Sequence, residues 1–316
     1  MESKSLQNIL GVNQWFHYED KRGIERSIEY LDELGVKLLR TGISWADYHR
    51  PGGPQWYDFQ MEALSHLKLL VSVWHTPPSI SMGGNCASPP KNLHEFADFI
   101  DVILSRYGER IEVLELWNEP NNRYKWDFER FDPDWSKFSE MIRTAAHWAA
   151  KVGQRTALGG IIPVDPDWLA NMKQRGALEK IDLIAIHGFP EMWWENAPNW
   201  DWHSHWHGWP EKIDKIKLIA EERPIWITET GLATYDLDRR QVGRHQLQAE
   251  MLEIAASAPA ERIYWYSLID LDPSRAAIEG FHVDENEYHM GLVTFEGERK
   301  PAYWKMQNLL CEQRDE

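Results

Sequence analysis

The sequence predicts an α/β fold, a single-domain (β/α)8 barrel, and three observations carry that expectation. Short apolar runs alternate with amphipathic segments eight times, the pattern of βα units around a parallel sheet. A length of 316 residues suits one such barrel. The first run opens into Asn13-Gln14-Trp15-Phe16-His17, without the glycine-rich turn that an open doubly wound sheet usually carries there. No linker, low-complexity run or composition shift divides residues 1–316, so one domain is expected.

The eight pairs follow in order. Ile9–Asn13 is the first strand, and Ile24, Ile28 and Leu31 share one face of a helix that Gly35 stops. Val36–Arg40 is the second strand, and a short helix over Phe59–His66 leads to the third, Leu69–Trp74. Asn92 and Glu95 have capping-box spacing before the stripe Phe96, Phe99, Ile100, Ile103 and Leu104, which Gly108 ends. Ile111–Trp117 is the fourth strand, and its helix begins near Asp132-Pro133. Thr156–Ile161 is the fifth, with a short helix from Asp165-Pro166. Ile181–His187 is the sixth; a long loop, 188–210, precedes the helix carrying Ile213, Ile216 and Ile219. Pro224–Thr228 is the seventh, followed by a helix with Val242, Leu247, Met251 and Ile254. Arg262–Ser267 is the eighth, and a helix over Pro301–Leu310 closes the series.

Composition excludes several function classes. The 43% hydrophobic and 27% charged residues describe a chain that folds around a large core. Fifty acidic against 34 basic residues leave a formal charge of −16, which repels nucleic acid and anionic membrane surfaces alike. No stretch is long and apolar enough to span a bilayer, and Met1-Glu2-Ser3-Lys4-Ser5-Leu6 lacks the apolar core of a signal peptide. A cytoplasmic location is therefore expected, or a leader already removed. Cys86 and Cys311 match no metal or redox spacing, and a disulfide between them stays open. The 18 tryptophans exceed what a barrel interior, which favours branched aliphatics, needs.

In a barrel, chemistry belongs at the C-terminal strand ends. The fourth strand leads into Trp117-Asn118-Glu119-Pro120-Asn121 and the seventh into Thr228-Glu229-Thr230-Gly231. A lone glutamate at a strand end is usually a solvated loop charge. Two of them, three strands apart on one rim, suit glycosidic cleavage: one acid protonates the leaving oxygen and one carboxylate attacks the anomeric carbon.

These two segments resemble the glycoside hydrolases of clan A, and the tail from Met290-Gly291-Leu292-Val293 to Lys300-Pro301-Ala302-Tyr303 resembles the stretch before the last helix in many of them. The resemblance implies a retaining O-glycosyl hydrolase with Glu119 as acid/base and Glu229 as nucleophile. It also implies that Asn118 binds the sugar 2-hydroxyl and that Arg40 holds the nucleophile ionised. Thr76-Pro77-Pro78 resembles the β-xylosidase and α-iduronidase relatives, so a β-xyloside or β-glucoside is the expected substrate. Trp265 falls where clan members commonly stack a tryptophan on the cleaved sugar, while Tyr264 and Tyr266 compete with it by strand parity.

Trp45, His75, His187 and Trp265 occupy the ends of strands two, three, six and eight. Each reads as core residue or sugar contact, and position favours contact for His75 and His187. Within the long loop, Trp193, Trp194, Trp200, Trp202, Trp206 and Trp209 offer either flat faces for sugar rings or a self-packed loop core. Trp202 and Trp206 are the candidate contacts there. His203, His205 and His207 alternate but lack a further ligand for a zinc site, so neither metal nor cofactor is expected. Asp270 and Asp272 either bind hydroxyls or cap a turn. The implied partner is a glycoside or oligosaccharide; oligomeric state is not legible. Three rival readings are a carbohydrate-binding pseudoenzyme, a transglycosylase, and a metal-dependent amidohydrolase. The last needs a His-X-His pair after strand one, where only His17 stands.

Overall fold

The computed structural model describes residues 6–189, 209–235, 244–275 and 285–311. Its strands are β1 (Leu10–Asn13), β2 (Leu38–Ser44), β3 (Lys68–Trp74), β4 (Ile111–Leu116), β5 (Thr156–Ile161), β6 (Leu183–His187), β7 (Ile225–Thr230) and β8 (Arg262–Tyr266). All are parallel, and they follow one another in sequence order around a closed barrel. The helices are α1 (Lys21–Leu34), α2 (Trp45–Tyr48), α3 (Gly53–Ala63), α4 (His94–Tyr107), α5 (Phe128–Phe131), α6 (Ser136–Lys151), α7 (Pro166–Gln174), α8 (Trp209–Ala220), α9 (Arg244–Ala256) and α10 (Pro301–Cys311). No described helix is long and apolar enough to cross a membrane. Both cysteines are free.

Two compact units make up the chain: Met1–Arg40 with Gly188–Ile213 and Ile227–Glu316, and Thr41–His187 with Asp214–Trp226. In the first, β1 lies between β2 and β8, with Asn13 in register with Arg40 on one side and Tyr266 on the other. Helix α1 starts where the Asp20 carboxylate accepts the Gly23 N–H at 2.9 Å, and it stops at Gly35, left-handed with φ 73°. That is the stop expected from glycine's freedom at positive φ. A buried Lys300–Asp270 ion pair at 2.8 Å ties the β8 loop to the start of α10. Lys300 also donates to Thr234 Oγ1 and the His289 carbonyl. Burial pulls the Lys300 ammonium down and pushes the Asp270 carboxyl up, and the pair's mutual attraction opposes both.

In the second unit, β3 to β6 pair in sequence and α4 packs beside α6. Much of the tryptophan excess goes here. Phe96, Trp117, Trp126, Phe138, Trp168 and Trp135 form a continuous run of edge-on and tilted contacts, with ring centres 5.2–6.1 Å apart. Each large ring buries roughly 150–250 Å², and each such pair adds about 0.5–1.5 kcal/mol beyond area. Two of the indoles have their N–H groups satisfied within the cluster: Trp117 Nε1 donates to the Lys125 carbonyl and Trp126 Nε1 to Asp132 Oδ2.

Several boundaries differ from expectation for local reasons. Strand β2 runs on through Thr41–Ser44, so Arg40 is mid-strand and not terminal. Strand β7 likewise includes Glu229. Helix α3 starts at Gly53 with Pro54 in its first turn, earlier than Phe59. The capping box at Asn92 is not formed; Leu93 is the cap residue of α4, and Asn92 Oδ1 accepts only the His94 N–H. Asp132 caps α6 from a distance, accepting from Lys137 N and Phe138 N at 2.8 Å each.

Candidate active site

Glu119 lies just past β4, on a loop whose backbone is held in an uncommon shape. Trp117 and Glu119 both have positive φ, 77° and 48°, a region that non-glycine residues enter only when surroundings over-determine it. Those surroundings are visible in the neighbouring strand. A Cβ on Gly159 would meet the Trp117 carbonyl oxygen at 1.9 Å, so glycine there lets the β4 backbone turn inward. Asn121 then fastens the loop, donating to the Pro163 carbonyl at 2.7 Å and accepting from Ile162 N at 2.9 Å.

Glu119 is 9% exposed. His187 Nδ1, from the end of β6, is 3.0 Å from Oε1, and Asn122 Nδ2 donates to Oε2 at 3.2 Å. His187 is completely buried. Its ring fits because Gly160 has no side chain: a Cβ there would fall 1.9 Å from His187 Nε2. The Gly159-Gly160 pair in β5 thus shapes both the Glu119 loop and its histidine partner. Asn118 is fully buried beside it.

Glu229, from β7, is held differently. Its Oε1 accepts from Arg40 Nη1 at 2.5 Å and from Asn13 Nδ2 at 2.9 Å. Arg40 and Asn13 are both 0% exposed, and the Arg40 guanidinium lies 5.1 Å over the Trp15 ring. A fixed cation and a neutral donor thus meet on one carboxylate oxygen, the arrangement of a charge-assisted hydrogen bond. One carboxylate therefore rests against a histidine and an amide, the other against a guanidinium and an amide. The two acids thus sit among different partners.

No family model matches the sequence, and no curated protein does. Solved structures do match by shape. A family 39 β-xylosidase from Caulobacter crescentus superposes with TM-score 0.67 at 17% identity, over 96% of this chain and 70% of that one. A β-glucosidase from Thermotoga maritima gives 0.65 at 14%, over 96% and 97%. A family 30 xylanase from Clostridium acetobutylicum gives 0.60 at 13%, over 96% and 70%. The fold is that of these glycosidase barrels.

The remaining expected contacts are placed less favourably. Trp45 is 2% exposed, stacked on Phe99 with ring centres 5.5 Å apart and tilted against Phe96, so it is a packing residue and not an open sugar platform. Trp265 is 0% exposed and in register with Val12. Alternation sets it on the opposite face from Tyr264 and Tyr266, and Tyr266, in register with Asn13, is the better placed of the three. His75, with φ 68°, lies tilted against Trp74 with ring centres 3.6 Å apart, and its Nδ1 lies 3.4 Å from Ser44 Oγ. Burial, helped by the Lys125 charge, pushes the His75 imidazole down to about 3. Trp202, Trp206 and the alternating histidines 203, 205 and 207 lie outside the described residues. Asp272 caps a turn, accepting from Ser274 N and Oγ.

Sequence reasoning missed Asn13, Asn121, Asn122 and the Gly159-Gly160 pair. Asn121 and Asn122 adjoin the glutamate motif and were open to notice. Asn13 was not, because its importance comes from register with Arg40 across two strands.

Proposed function

We propose that this chain is a retaining β-glycosidase acting by double displacement, with Glu229 as nucleophile and Glu119 as acid/base, on a β-xyloside or β-glucoside. The observation that carries the reading is the contrast between two buried carboxylates at the ends of β4 and β7. One accepts from the Arg40 guanidinium and the Asn13 amide, and the other contacts His187 and accepts from Asn122. The glycosidase barrels that superpose on this chain support it by fold.

In the first step, a Glu229 oxygen forms a bond to the anomeric carbon while the glycosidic C–O bond breaks. The electron pair goes to the departing oxygen, which takes the proton of Glu119. This needs the two carboxyl groups about 5–5.5 Å apart. In the second step, Glu119, now a carboxylate, takes a proton from water as that water attacks the anomeric carbon, and the ester bond electrons return to Glu229. Asn118 would hold the sugar 2-hydroxyl, and Tyr266 is the aromatic candidate beside it.

A panel of aryl β-glycosides (xyloside, glucoside, galactoside and arabinoside) tests the reading. Turnover of at least one is expected, with loss of that turnover in Glu229→Ala. A pure chain that binds sugars but turns over none of a broad panel would contradict it.

A further inference from the structure

We infer that Asn13 is a positioning residue for the nucleophile, one that carries the charge returning to Glu229 when the covalent intermediate is hydrolysed. This rests on the two-glutamate reading above and deepens it. Asn13, the last residue of β1, pairs with Arg40 of β2 in the parallel ladder. Residues paired in register project to the same face of a sheet, so two donors from adjacent strands arrive at the same level. Both are completely buried, and both end on the same atom, Glu229 Oε1, at 2.9 Å for the amide and 2.5 Å for the guanidinium.

Two donors from adjacent strands therefore hold Oε1. Bonding the sugar through the other oxygen, Oε2, leaves both donor contacts intact through the cycle. Oε1 then becomes the carbonyl oxygen of the glycosyl ester and regains charge only as that ester breaks. In the first step the carboxylate loses charge on approaching the transition state, so a donor on Oε1 stabilises the starting anion at least as much as the transition state. In the second step, water attacks the anomeric carbon, the C–Oε2 bond breaks and its electron pair returns to the carboxylate. Asn13 then stabilises the transition state more than the neutral ester. Its effect falls on hydrolysis of the intermediate and not on its formation.

The test separates the two steps. Wild-type chain and Asn13→Ala are inactivated with an activated 2-deoxy-2-fluoro β-glycoside of the sugar the panel selects, and the labelled peptide is identified by mass spectrometry. The inactivation rate reports formation of the intermediate; recovery of activity after removal of the reagent reports its hydrolysis. Loss of a hydrogen bond to a charged group predicts recovery slower by roughly 10- to 100-fold, with inactivation changed less than about threefold. Asn13→Ser, which loses the amide but keeps a small polar side chain, shows the same split and carries the test if Asn13→Ala fails to fold. A purely structural role for Asn13 would move both rates together, or neither, and either result overturns the inference while the Glu229 label stands. A wild-type label absent from Glu229 overturns the two-glutamate reading, and this inference with it.

Discussion

Replacing Gly160 by alanine probes the candidate acid/base through its histidine partner. The added Cβ would lie 1.9 Å from His187 Nε2 and 2.1 Å from its Cδ2. That is about 1.5 Å short of ordinary contact between heavy atoms. The ring is fully buried, so it must push into packed surroundings, at a cost of about 1–3 kcal/mol. A shift of that size also stretches the 3.0 Å contact between His187 Nδ1 and Glu119 Oε1 beyond hydrogen-bonding range. Loss of a hydrogen bond to a charged group is worth about 1.5–3 kcal/mol, or roughly 10- to 150-fold in a step that depends on it. The assay compares thermal unfolding with turnover of two substrates, one with a poor alkoxide leaving group and one with an activated aryl group. Melting should fall by about 2–10 °C. The poor leaving group should lose rate by the full factor, and formation of the intermediate from the activated one should lose little, because it needs no proton. A Gly160→Ala chain that keeps both its melting temperature and its rate on the poor leaving group would refute the packing argument and the link from His187 to Glu119.

Other expected outcomes follow from the same geometry. Glu229→Ala should lose at least about 4 kcal/mol of transition-state stabilisation, roughly a thousandfold in kcat/KM; near-normal steady-state rates would exclude it as nucleophile. Glu119→Ala should spare the first step for activated aryl glycosides while abolishing cleavage of poor leaving groups, measured by burst kinetics on both; equal losses would argue against an acid/base role. His75 is neutral in the native state, since burial lowers it from 6.5 to about 3. Its folded value lies below its unfolded one, so its stabilisation is complete above about pH 6.5 and is lost progressively as pH falls toward 3. The melting advantage of wild type over His75→Gln should therefore shrink between pH 6.5 and 4.5, and an advantage independent of pH would contradict the burial argument.

The barrel was legible because each strand is a compact apolar run and each helix carries a 3.6-residue stripe. Boundaries failed where polarity hid burial: Thr41 is fully buried though it does not read as apolar, and β2 extends through it. Glu119 and Glu229 drew attention as candidates through their flanking residues. Their partners did so only in part. Arg40 and His187 stood at strand ends and drew attention, but His187 was read as a sugar contact, whereas its ring lies under Gly160 and reaches Glu119. Asn13 was invisible as a site residue because its role arises from pairing with Arg40 and from Glu229, 216 positions away. Trp45 and Trp265 were misplaced for the opposite reason. A tryptophan at a strand end can close the barrel's outer layer as readily as it can face a ligand, and parity and packing, not residue type, decide which.

The central claim is that Glu229 attacks the anomeric carbon and is displaced from it in turn. The stereochemistry of the product tests this most directly. Proton NMR of the first sugar released from an activated aryl β-glycoside, read before mutarotation, should show the β-anomer, the product of two successive inversions. The α-anomer as first product would mean a single displacement by water and would contradict the account.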